Sequence, residues 1–195
     1  MRPTRRSLLA TLLAVPPLLL LQRGALAQAQ NLPLPLTPSC GEPAQATVRQ
    51  TAGPFYTPDA PLKHDLASDV DGGRPLTLAG FVVDQRCQPI AGAMVEIWHA
   101  DENGEYDNNG FRLRGRQITD AEGRWGFTTV ETQHYAFRTA HYHFNVRRPA
   151  GALLTTQLYF PDHPRNSSDR LFDPRLVLHM SSDGTHRIGR FDFVI

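Results

Sequence analysis

Eight short segments rich in β-branched and aromatic residues, with no amphipathic helical pattern between them, restrict what this 195-residue chain can become. They are LTLAGFVVD (76–84), AMVEIWHA (93–100), RGRQITD (114–120), RWGFTTV (124–130), HYHFNV (141–146), LLTTQLYF (153–160), RLVLHM (175–180) and RIGRFDFVI (187–195), and clusters of Gly, Pro, Asn and Asp separate them. Strands of this length, punctuated in this way, predict an all-β fold, an antiparallel sandwich or barrel, of which we take the β-sandwich. No internal repeat is present.

The region before these segments is different in kind. Residues 1–27 have a basic start, an apolar run from Leu8 to Leu21 and the small-residue pattern Ala25-Leu26-Ala27, which reads as a cleaved signal peptide. Arg5-Arg6 followed by Ser7-Leu8-Leu9 resembles a bacterial twin-arginine address, used for proteins exported already folded, so a periplasmic or secreted destination is expected. The apolar run is short for a membrane span and is broken by Pro16 and Pro17, so no stable membrane anchoring is expected. Residues 28–52, where Leu32, Leu34 and Leu36 alternate with prolines that cannot donate to a ladder, predict an extended N-terminal arm, and 53–195 form the domain.

Removing the leader takes away Arg2, Arg5, Arg6 and Arg23 and no acid, so 20 basic against 19 acidic residues become 16 against 19. A mildly acidic chain without a basic run gives no support to nucleic-acid binding. The two cysteines of the chain, Cys40 and Cys87, have no partner at metal-ligand spacing, and in an exported chain they are expected to pair as a disulfide.

Chemistry concentrates in HYAFRTAHYHFNV (134–146), which holds two tyrosines, three histidines and an arginine but no cysteine, aspartate or glutamate. On a strand the period of two sends His141, His143 and Asn145 to one face and Tyr142, Phe144 and Val146 to the other, which is the core face. Two histidines projecting together from a strand are a recurrent way to present two metal ligands, and equally a pattern of hydrogen-bonded structural residues. Arg138 stands three residues before the pair and Tyr135 three before that, while Tyr106 lies upstream in the loop of VEIWHADENGEYDNNG.

The segments GPFY, DQRCQPIAGAMVEIWHADENGEYDN, RGRQITDAEGRWGF, HYAFRTAHYHF and LTTQLYF resemble, in order and spacing, the intradiol ring-cleavage dioxygenases, over about Gly53 to Phe160. The resemblance implies one non-haem Fe(III) per chain held by Tyr106, Tyr135, His141 and His143, with Arg138 and Gln157 as active-site residues. It also implies that Tyr135, the tyrosine nearer the histidine strand, leaves the metal and takes a proton when substrate binds. Tyr56, in GPFY, is expected to shape the substrate pocket. The implied reaction cleaves a catechol-type ring between its two hydroxyl-bearing carbons with O₂, giving a muconate-type product. Donor chemistry agrees: a free phenol has a pKa near 10, and a trivalent ion offsets two phenolates better than a divalent one does.

The rival expectation is a non-catalytic, transthyretin-like binding module, in which Gly80, Asp84, Pro89 and Gly92 would mark turns between strands. Such a module has no use for two tyrosines and two histidines at ligand spacing. His64, His99, His134, His163, His179 and His186 stand outside the quartet and are expected to be hydrogen-bonded or surface residues. Family members that cleave catechol itself carry a helical dimerisation segment that has no counterpart before this sandwich, which leaves oligomeric state and the particular catechol open.

Overall fold

The computed structural model describes residues 44–182, 184 and 186–195. The signal peptide expected at 1–27 lies outside the described residues, as does the arm through residue 43. So does Cys40, and with it the expected bridge to Cys87.

The strands are β1 (Pro75–Val83), β2 (Met94–Trp98), β3 (Arg114–Ile118), β4 (Arg124–Val130), β5 (His141–Arg147), β6 (Leu154–Tyr159), β7 (His179–Ser182), β8 (Arg187–Arg190) and β9 (Phe193–Val194). One sheet has the order β4-β1-β8-β7, with β9 also paired to β1, and the other has the order β3-β2-β5-β6. The expected all-β sandwich is therefore what forms. Its core is built from inward positions of both sheets, among them Leu78, Val82, Trp125 and Phe127 from one and Val95, Ile97, Phe144 and Leu158 from the other, all fully buried. Trp125 closes the layers against Phe144 with ring centroids 5.4 Å apart. Each such side chain contributes roughly 1.5–3 kcal/mol by leaving water.

Two segments depart from the expected strands. The run 175–180 opens with a 3-10 turn, Pro174–Leu176, because Asp173 accepts the Arg175 N–H at 2.9 Å and Pro174 favours a helical start. The run 187–195 breaks into β8 and β9, both parallel to β1 rather than antiparallel. At the break the Asp192 carboxylate accepts the Phe81 N–H at 3.0 Å. The Phe191 carbonyl lies where a Cβ on Gly80 would stand only 1.8 Å away. Gly80 is thus not a turn marker. It sits inside β1 and is needed for close backbone approach.

Residues 47–51 run over the edge of the β3-β2-β5-β6 sheet. Thr47 N donates to Val194 O at 3.0 Å and Gln50 N to Thr155 O at 2.8 Å, and the Thr156 hydroxyl donates to Val48 O at 2.7 Å. The outer face of β5 is covered too, with Gly53 and Trp98 against His143 and Glu96 on Asn145, and His141, His143 and Asn145 are only 2%, 1% and 2% exposed.

Candidate metal centre

In β5, Tyr142, Phe144 and Val146 enter the core and His141 and His143 share the opposite face, as period-two alternation requires. His143 lies between Trp98 of β2 and Gln157 of β6 in the strand registers, and its ring stacks on Trp98 at 5.0 Å with a 5° interplanar angle. The His141 Nδ1–H donates to the Thr139 carbonyl at 2.6 Å, which leaves Nε2 with its lone pair. The two Nε2 atoms then stand 3.1 Å apart. With metal–nitrogen bonds of about 2.1 Å, that separation corresponds to two ligands at about 95° around one ion. Burial, aided by the charge of Arg138, lowers the His141 pKa to about 4, and burial holds that of His143 well below its ordinary value. Both rings are therefore neutral, the form that binds a metal.

Tyr106 comes from the loop after β2, and the acidic turn formers of that loop fix its path. Asp101 Oδ1 accepts from Asn103 N and Glu105 N, each at 2.9 Å, and Asp107 takes the N–H groups of Asn109, Gly110 and Arg112. Buried Arg114 clasps the Asp107 carbonyl through Nε and Nη2 at 3.1 and 2.6 Å. The Tyr106 ring stands at 89° to that of Tyr135 with centroids 5.4 Å apart, 6.3 Å from His143, and Tyr135 is 5.6 Å from His141. The Tyr106 hydroxyl is buried and has no hydrogen-bond partner. Such an orphan costs free energy unless something satisfies it. Burial, followed by the neighbouring Tyr135, pushes its pKa upward, so only a strong nearby cation would ionise it. Among the described residues no group of three or more His, Cys, Asp or Glu forms a metal site. The rings that do gather are two imidazoles and two phenols, a donor set suited to a trivalent ion such as Fe(III).

Arg138 is reached from Tyr135 by a two-residue turn, closed by Arg138 N donating to Tyr135 O at 2.9 Å, with Ala136 at φ +46° and Phe137 78% exposed at the tip. The guanidinium itself is buried. Its Nε donates to both carboxylate oxygens of Asp169, at 3.1 and 2.9 Å, and Nη2 donates to Gln157 Oε1. Gln157 is anchored in turn by its Nε2 donating to Thr51 O at 2.9 Å. Burial pushes the Asp169 carboxyl up, but the N–H groups of Leu171 and Thr139 and the charge of Arg138 outweigh it and hold the pKa below the usual range.

Two residues of this constellation escaped sequence reasoning. Asp169 follows an ordinary NSS loop and carries no local signal. Phe55 is in GPFY, but Tyr56 is the residue the sequence singled out there. It is Phe55 that stacks on Tyr106, at 4.6 Å and 20°, and meets the edge of Tyr135 at 5.5 Å. Tyr56 turns instead to Trp98, at 4.7 Å, and donates its hydroxyl to the buried Glu96 carboxylate at 3.1 Å. It stands one ring removed from His143. Gly53 makes this turn possible with φ +69° and brings its Cα so close that a Cβ would lie 3.3 Å from His143 Cε1.

Comparison with known proteins bears on the fold and the family. A family model described as Dioxygenase matches residues 51–194. The beta chain of protocatechuate 3,4-dioxygenase from Burkholderia cepacia is 33% identical, over 78% of this chain and 80% of its own length. Catechol 1,2-dioxygenase 2 of Acinetobacter lwoffii is 33% identical over 66% of this chain, which spans only 56% of that enzyme. Among solved structures, the dioxygenase domain of a dioxygenase–carbohydrate-binding fusion from Streptomyces sp. SirexAA-E superposes with a TM-score of 0.75 at 42% identity, covering 77% of this chain and 98% of that one. The 3-chlorocatechol 1,2-dioxygenase of Rhodococcus opacus 1CP superposes at 0.68 with 26% identity, covering 76% and 71%. Matched to the family model across most of its length, and a third identical to a member over more than two thirds of it, the chain belongs to the intradiol ring-cleavage dioxygenases.

Proposed function

We propose that the protein uses O₂ to cleave a catechol-type aromatic diol between its hydroxyl-bearing carbons, giving a muconate-type dicarboxylate, with one ferric ion held by Tyr106, Tyr135, His141 and His143. The observation that carries this is the pairing of two imidazole Nε2 atoms 3.1 Å apart with a buried, unpartnered hydroxyl on Tyr106, whose ring centroid lies 6.3 Å from that of His143. When bound, the iron would supply a Lewis-acidic centre for both diol oxygens and a route for electrons toward O₂.

The remaining work falls to the chain. Tyr135 Oη is the base for a substrate proton: burial raises its pKa in spite of the charge of Arg138, so the oxygen would be a phenolate only while a bound cation held it and would take up a proton on release. Arg138 keeps a permanent positive charge at the site, held in one orientation by Asp169 and Gln157, where it offsets negative charge that builds on the ring. Phe55 gives Tyr106 an aromatic wall. Trp98 does the same for His143. A transthyretin-like binding module would have no reason to bury an unpartnered phenol. We further propose that the enzyme works outside the cytoplasm, addressed by residues 1–27, on phenolics of plant origin; the 42%-identical domain comes from a cellulolytic bacterium.

Incubation with catechol and protocatechuate under ¹⁸O₂ tests the reaction. Ring-opened dicarboxylate carrying both labelled atoms is expected from at least one of them. An aldehyde-containing product from cleavage outside the diol would overturn it.

A further inference from the structure

Two histidines that the metal quartet leaves out come together beside it. His134 precedes Tyr135 and His163 follows β6, 29 residues on, yet their ring centroids lie 5.8 Å apart. Both rings are half-buried. Each has its Nδ1 engaged away from the other. His134 Nδ1 stands 2.7 Å from Gln133 Oε1, an oxygen that can only accept and that also takes the His134 N–H at 3.0 Å, so the ring proton is on Nδ1. His163 Nδ1 lies 2.7 Å from the Thr139 hydroxyl. That hydroxyl donates its only proton to Asn166 Oδ1 at 2.8 Å, while the Asn166 amide nitrogen is engaged with the carbonyls of Phe160 and Pro161. The two short contacts of that hydroxyl are both satisfied only if Thr139 accepts from His163 Nδ1, and the Arg165 N–H, directed at the same nitrogen from 3.3 Å, then meets no lone pair there. In both rings the lone pair is left on Nε2. This is the tautomer, fixed by an oxygen behind the ring, that metal-binding histidines adopt and that His141 shows in the quartet.

The backbone around the pair is set in advance. A Cβ on Gly104 would stand 2.5 Å from the His134 carbonyl, so the Tyr106 loop is wedged against that residue. Thr139 is fully buried, and Arg165 Nη1 donates to Ala136 O at 2.6 Å. Two imidazoles bound through Nε2 to one ion at about 2.1 Å have ring centroids 5.8 Å apart when the angle at the metal is about 130°.

We propose that His134 and His163 form a second metal site, for one divalent transition ion of the imidazole-binding kind, such as Zn²⁺, Ni²⁺ or Cu²⁺. The site is separate from the quartet and does not depend on which metal the quartet holds. Bound there, the ion staples the turn that carries Tyr135 and Arg138 to the segment that carries Asp169.

Calorimetric titration of the protein as purified with Zn²⁺ alone, its own metal content measured before and after, tests this. Saturable uptake of one Zn²⁺ per chain without loss of resident metal is expected, weakened at least about tenfold in His134→Gln and in His163→Ala and retained in His64→Ala. His134→Gln guards against a folding defect, because it leaves the His163–Thr139 contact in place. Absence of saturable binding, uptake matched by loss of the resident metal, or equal binding by both variants and the parent would each overturn the proposal.

Discussion

Arg138 and Asp169 form a buried ion pair, Nε to Oδ2 at 2.9 Å, with side chains only 5% and 1% exposed. Each leaves the other a buried, unpaired charge if removed. Asp169→Asn should therefore destabilise the fold by about 3–5 kcal/mol and let the guanidinium leave its orientation, lowering turnover as well. Equilibrium denaturation together with steady-state kinetics measures both. A variant as stable and as active as the parent would remove Asp169 from the role of holding Arg138.

Arg138→Ala should keep the metal and lose about 2–4 kcal/mol of transition-state stabilisation, by analogy with removal of one oxyanion donor. The loss should appear in kcat more than in KM. Arg138→Lys should recover little of it, because a lysine cannot face Asp169 and Gln157 together. Metal analysis with single-turnover kinetics separates these effects, and unchanged turnover in the alanine variant would contradict the assignment.

Phe55 and Tyr56 offer a contrast within one short segment. Phe55→Ala removes an aromatic stack on Tyr106 of about 0.5–1.5 kcal/mol and should slow turnover and shift the tyrosinate absorption. Tyr56→Phe takes one donor from buried Glu96, which keeps the Asn145 amide at 2.8 Å, so it should cost about 1–3 kcal/mol of stability with a smaller effect on the reaction. The opposite ranking of rates would return Tyr56 to the pocket.

His99 gives a pH dependence away from the quartet. Its Nδ1 donates to Ala100 O and its Nε2 meets the Thr129 hydroxyl, each at 2.7 Å, and burial lowers its pKa to about 4. The unfolded chain binds this proton near pH 6.5 and the folded chain does not, so its contribution is fully present above that pH and is lost as pH falls toward 4. About 3 kcal/mol is at stake. Denaturant titrations at neutral and acidic pH should show a shallower decline for His99→Gln than for the parent, and parallel declines would exclude this origin.

The parts of this site that can be read from the sequence are those with local periodicity or spacing. Alternation in HYHFNV is enough to separate the face of His141 and His143 from the core face, because strand geometry leaves no other choice. The buried partners cannot be read in that way. Asp169 meets Arg138 across 31 residues and Glu96 meets Tyr56 across 40, and nothing local in either segment marks the contact. The break between β8 and β9 is equally hidden, since it depends on a carboxylate and a glycine 112 residues apart in the chain, Asp192 and Gly80. His134 and His163 pass for separate surface residues for the same reason.

Whether Tyr106, Tyr135, His141 and His143 together hold one ferric ion is tested most directly by elemental analysis of protein from iron-replete expression, joined to resonance Raman spectroscopy of the same sample. Close to one iron per chain, a wine-red colour and tyrosinate modes that change in both Tyr106→Phe and Tyr135→Phe are the expected result. A colourless protein with stoichiometric zinc, or iron whose spectrum neither substitution alters, would contradict it.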